Sequence, residues 1–185
     1  KYSIEQGLIS PTMRVALGLL VGIGCLVGSE WLRPRRQKAA ADALAGAGIV
    51  VLYAALWAAH HLYGLIGAPV SFGAMALVTV TCGLLAHRRQ SLLVAVLGLV
   101  GGFATPLMVA VAEDQPVSLF SYVLLLDGGL LWLARQRRWP ALAILALAGT
   151  AIYQGLWIFE QMDPARALIG LAGLGVFALL FAVLG

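Results

Sequence analysis

One acid stands deep inside an apolar run. Asp127 lies in Leu124-Leu-Leu-Asp127-Gly-Gly, roughly seven residues before the basic end of that run. If the run crosses lipid, a carboxyl group near its centre costs about 2.5–3.5 kcal/mol to insert. An ionisable group in such a place is a functional hypothesis by default. No Lys or Arg lies at the same depth in any other apolar run, so no ion-pair partner is visible. Three roles fit Asp127: a hydrogen bond to a neighbouring helix, a transport or proton role in a watery cavity, or contact with a helix beyond this stretch.

Five more residues with usable chemistry gather toward the opposite, non-basic ends of their runs: Thr105, Pro106, Gln154, His60 and His61. Pro106 removes one backbone hydrogen bond, which predicts a kink and a freed carbonyl at Gly102. Together these groups are candidates to line an outward-facing polar vestibule. In the alternative each is satisfied locally: Thr by its own helix, Gln by a neighbour, His by lipid headgroups. Adjacent histidines project about 100° apart on a helix, which makes His60 and His61 poor joint metal ligands. Cys25 and Cys82 are far apart, form no metal spacing and read as small apolar core residues. Glu30, beside Trp31 and Arg33, is expected to pair with a nearby arginine at the interface, and Arg14 to reach the surface or Glu5. There is no G-x-S-x-G, no H-E-x-x-H and no phosphate-cradling loop. No catalytic residue, metal site or cofactor is assigned.

The elements that must position these residues follow from composition. Of 185 residues, 62% are hydrophobic and 11% charged. A soluble domain of this size would expose apolar patches that aggregate. A lipid solvent removes that problem. Seven runs have the length of bilayer-crossing helices, about 20 residues each: 12–32, 44–66, 70–86, 92–112, 117–134, 141–159 and 165–184. They make one helical transmembrane domain over residues 1–185. The third and fifth are short and would need little tilt or a thin bilayer. The net charge of +4 does not indicate nucleic acid, because the basic residues sit in small clusters between apolar runs. One set of loops carries Arg33, Arg35, Arg36 and Lys38, then Arg88 and Arg89, then Arg135, Arg137 and Arg138. The other set is neutral or acidic: the turn at Gly67, then Glu113 and Asp114, then Glu160 and Asp163. The two sets alternate strictly. The positive-inside rule places the basic loops in the cytoplasm and the N-terminus outside. Trp31 and Trp139 then lie at the cytoplasmic interface, and Tyr2, Tyr63 and Trp157 near the outer one.

The chain also repeats. Pro11, Pro69, Pro116 and Pro164 each stand at the start of an inward helix, about 50 residues apart. Each unit is a helical hairpin, so all units share one orientation, giving tandem parallel hairpin repeats. Gly18 and Gly22, Gly24 and Gly28, and Gly98 and Gly102 are small-xxx-small pairs that predict close helix packing.

Three strings, Tyr2-Ser-Ile-Glu-Gln-Gly-Leu-Ile-Ser-Pro11, Leu52-Tyr53-Ala-Ala-Leu-Trp57-Ala-Ala-His60-His61-Leu-Tyr63-Gly64 and Gly101-Gly102-Phe103-Ala104-Thr105-Pro106, resemble a bacterial family of predicted multi-pass membrane proteins, domain of unknown function 2339. The resemblance covers most of the chain. It implies an all-α membrane fold and an inner-membrane location, and brings no catalytic residues. It also implies a longer parent chain, of which this is a fragment; the start at Lys1 and the apolar end at Gly185 agree. In that family an Asn is usual at the place of Asp127. The expected partners are the lipid bilayer and other transmembrane helices, of a longer chain or of a complex. Three function classes follow: a structural or assembly component of the cell envelope, which is favoured; a transporter or channel using Asp127 and the Pro106 kink; and an intramembrane enzyme acting on lipid or envelope carbohydrate, the weakest because acids are few and scattered.

Overall fold

The computed structural model describes residues 10–32, 37–109, 116–161 and 167–184. They form seven helices and no strand among the described residues: α1 Pro11–Leu32, α2 Lys38–Trp57, α3 Ala68–Arg89, α4 Leu92–Val109, α5 Pro116–Arg137, α6 Pro140–Gln161 and α7 Ala167–Leu184. The loop residues Arg33, Arg35, Arg36, Glu113, Asp114, Asp163 and Pro164, and Tyr2 and Glu5, lie outside the described residues, as do the side chains of Trp157 and Glu160.

Apolar composition explains why these segments are helices. In lipid every backbone N–H and C=O must be bonded within the segment. Four helices among the described residues are long and apolar enough to cross a membrane: Pro11–Leu32, Lys38–Leu62, Ala68–Arg89 and Leu92–Val109. Prolines open α1, α5 and α6, where a missing N–H costs no intrahelical bond.

The third and fifth helices extend beyond their apolar runs. Helices α3 and α5 each have 22 residues, or about 33 Å at 1.5 Å per residue, enough for the hydrocarbon core. The apolar run stops at the first charge, but the helix does not. Arg88 and Arg89 occupy the last turn of α3, and Arg135 and Arg137 that of α5. Cations there complement the negative end of the helix dipole. The same effect moves Asp127, which sits eleven residues from Pro116 and ten from Arg137, at the middle of α5. Helix α2 likewise begins at Lys38, six residues before the apolar run. At its far end α2 widens into a π-turn over Ala58–Leu62, and the chain reverses through Gly64 at φ +58.

Residues cluster into two compact units, Lys1–Val111 and Ala112–Gly185. In the first, α1 packs on α2 and α3 on α4, with α2 also touching α3 and α4. In the second, α5 packs on α6, and α7 touches both. Helices α1, α3 and α5 therefore each pair with the helix that follows, which is the hairpin repeat.

The hairpins share their details. Helices α1, α3 and α5 all have 22 residues. From α3–α4 to α5–α6 three of the four boundaries shift by 48 residues: 68 to 116, 89 to 137, 92 to 140. Both turns place one non-glycine residue in the left-handed region, Gln90 at φ 56 and Arg138 at φ 55. In both, the next N–H returns to a carbonyl five residues back: Ser91 to Ala86 at 3.3 Å and Trp139 to Ala134 at 2.9 Å. That is the Schellman arrangement, which satisfies a carbonyl the helix leaves open.

Candidate functional site

The repeat gives a frame for locating side chains. The twelfth residue of α1, α3 and α5 is Gly22, Thr79 and Asp127 respectively, and the eleventh of α2, α4 and α6 is Gly48, Gly102 and Thr150. In the first and third hairpins these positions face each other. In α1–α2 a Cβ added to Gly48 would lie 2.8 Å from the Gly22 carbonyl oxygen and 2.9 Å from Cys25 Cβ. In α5–α6 the same place holds a hydrogen bond: the Thr150 hydroxyl donates to Asp127 Oδ2 at 2.5 Å. Asp127 is 0% exposed and Thr150 2%. The acid that lacked an ion-pair partner in sequence has a hydroxyl partner 23 residues away.

The other oxygen, Asp127 Oδ1, has no partner among the described residues, and neither has Gln154 Nε2, although both atoms are buried. Gln154 lies four residues beyond Thr150, on the same face of α6. Of the six polar residues singled out in sequence, Asp127 and Gln154 thus fall in the second unit, and His60, His61, Thr105 and Pro106 in the first.

Among the described residues, the first-unit candidates have local partners. Thr105 and Pro106 are fully buried in α4. The Thr105 hydroxyl donates to its own helix at the Gly101 carbonyl, 2.8 Å away. The rings of His60 and His61 diverge. His60 Nδ1 lies 3.0 Å from the Ile66 carbonyl, and because a carbonyl only accepts, Nδ1 carries the proton. His61 is stacked on Trp57 with centroids 5.4 Å apart. Among the described residues no group of three or more His, Cys, Asp or Glu could hold a metal ion.

Packing residues divide by face. Gly18 meets Ala55 Cβ at 3.0 Å, Gly22 meets Leu52 Cγ at 2.6 Å, and Gly98 meets Cys82 Cβ at 2.7 Å, measured from an added Cβ. Gly102 is buried at the hairpin contact position of α4. Gly28 has only ordinary contact with Leu44, 3.6 Å away, and Gly24 has nothing within 4 Å. Gly24 lies 200° around the helix from Gly22, and among the described residues nothing packs on it. Two close contacts were not legible beforehand: Gly48 on Gly22, and Gly101 beneath the Tyr53 ring. Tyr53 and Thr79 also bond through their hydroxyls at 2.7 Å. The two cysteines prove equivalent, each the fifteenth residue of its helix.

At the basic ends of α1 and α3 the side chain of Arg89 is 0% exposed. Its Nε donates to Glu30 at 3.0 Å, its Nη2 to Ser29 Oγ at 2.6 Å, and its Nη1 to the Ala41 carbonyl at 3.4 Å. Asp42 is 3.9 Å away. Glu30 thus pairs with an arginine 59 residues distant, and Arg89 ties α1, α2 and α3 together. A cavity of about 310 Å³ lies between these helices, lined by apolar side chains such as Leu19, Ile23, Leu52 and Leu77. None of the candidate polar residues reaches it.

Removing the hydroxyl from the buried pair gives a direct check. Thr150→Val should lower stability by about 1 kcal/mol, the usual scale of an interhelical hydrogen bond in lipid, measured by unfolding in mixed micelles. Asp127→Asn keeps an acceptor for Thr150 and should cost less.

A family model described as Predicted membrane protein (DUF2339) matches residues 1–185. No curated protein and no solved structure matches the chain.

Proposed function

Because the chain belongs to the DUF2339 family of predicted membrane proteins, we propose that it is a non-enzymatic assembly component of the bacterial inner membrane, with its basic turns in the cytoplasm. The carrying observation is how the helices of the first unit divide their surfaces. Inner faces are closed by backbone-level contacts, Gly22 on Gly48, Gly98 on Cys82 and Gly101 under Tyr53. Outer faces of α1 and α3 remain apolar and open: Leu20 is 66% exposed and Leu84 62%. Lipid tails are as apolar as leucine, so only packing, hydrogen bonds and lipid entropy join helices there. A scaffold of rigid hairpins presenting apolar faces suits the recruitment of other transmembrane helices.

A second reading, a transporter or channel for a small solute, draws support from Asp127 buried at mid-helix without a basic partner. It requires an aqueous route to that residue. Single cysteines at Leu20 or Leu84, in a protein lacking Cys25 and Cys82, discriminate the two. On the assembly reading, a thiol cross-linker applied to native membranes joins them to another transmembrane segment, and purified protein with Asp127→Asn shows no change in vesicle permeability. Absence of any adduct, with solute flux that disappears in Asp127→Asn, would sink it.

A further inference from the structure

The third hairpin departs from the first at the contact position of the repeat. Where α1 and α2 meet through Gly22 and Gly48, α5 and α6 meet through Asp127 and Thr150. Two side chains fill the place of two hydrogens, and they are polar. The hydrogen bond between Thr150 and Asp127 meets only part of the polar demand. Among the described residues Asp127 Oδ1 remains without a partner and so does Gln154 Nε2, both buried.

We infer that Asp127 Oδ1 and Gln154 Nε2 are two walls of a binding site for one buried water molecule, held at mid-helix between α5 and α6. The spacing supports it. Gln154 stands one turn from Thr150, a rise of about 6 Å. That places Gln154 on the face of α6 that carries the bond to Asp127. The valences also match. The amide N–H needs an acceptor, which a water oxygen supplies. The carboxyl oxygen needs a donor if the acid is ionised and an acceptor if it carries the proton there, and water is both. A buried water requires two to four polar partners, and the Thr150 hydroxyl is close enough to be the third. A metal cation fits less well, because it would gain no bond from the amide N–H and would need more oxygen ligands than these residues offer.

The test is water-to-protein magnetisation transfer in solid-state NMR of the full chain in lipid bilayers. The Gln154 side-chain amide is assigned by its loss in Gln154→Leu. The inference expects rapid transfer from water to that amide in the wild type and in Asp127→Asn, which retains an acceptor. Transfer should fall several-fold in Asp127→Leu, which removes one wall. If Asp127→Leu does not fold, Asp127→Val combined with Thr150→Gly, a smaller pair closer to the first hairpin, serves in its place. No transfer in the wild type would overturn the inference. So would transfer undiminished in the apolar variants, since the water would then arrive from bulk solvent.

Discussion

Replacing Gly48 by alanine should destabilise the first unit by about 1–3 kcal/mol, the usual range for a group forced into a filled interior. The added methyl would sit 2.8 Å from the Gly22 carbonyl oxygen, 2.9 Å from Cys25 Cβ and 3.3 Å from the Leu26 nitrogen. Two of these are backbone atoms of α1, so no rotamer change relieves the clash and the helices must separate. Gly48→Leu should be worse, with loss of the folded fraction in mild detergent. Gly24→Ala is the matched control on the facing helix: nothing lies within 4 Å of its added Cβ, and stability should change by less than about 0.5 kcal/mol. Unfolding by denaturing detergent, followed by circular dichroism, reads both. Equal effects at Gly48 and Gly24 would show that α1 and α2 do not meet through this face.

The second large effect is expected at Arg89. Its guanidinium is fully buried and donates to Glu30, Ser29 and the Ala41 carbonyl. Removing one member of a buried pair costs about 3–5 kcal/mol, because the other charge loses its partner. Glu30 is half exposed and can rehydrate, so Arg89→Met should fall near the lower end, about 3 kcal/mol. Arg89→Lys should recover only part of this, since an ammonium lacks the planar fork that reaches several acceptors at once. A double-mutant cycle with Glu30→Gln should show coupling of more than about 1 kcal/mol. Strictly additive losses would mean that the ion pair contributes little beyond packing.

Much of the architecture was legible in the residues. The apolar runs set the helices, and Pro11, Pro69 and Pro116 their starts, because lipid admits only internally bonded helices. The hairpin period was legible too, though not its precision. That Gly22, Thr79 and Asp127 are the same position emerges only once the helix ends are known, because the apolar runs stop short of the true ends in α3 and α5. Sequence did single out Asp127, since a carboxyl group in an apolar run is conspicuous. Thr150, its partner, was not conspicuous. A threonine satisfies itself on its own helix, as Thr105 and Thr81 do, so its type says nothing about a neighbour.

What the sequence determined by itself is the class of solvent and the order of pairing: apolar helices of about bilayer length, each of the first three pairs closing as a hairpin. The choice of face on each helix was settled only in the tertiary structure. In water a helix announces its buried side by an apolar stripe. Here all sides are apolar, so two glycine pairs on α1 look alike although Gly22 is packed and Gly24 is not. The same holds for long-range polar contacts. Arg89 with Glu30 and Asp127 with Thr150 depend on depth and rotation, and neither is encoded where every side of a helix suits its surroundings.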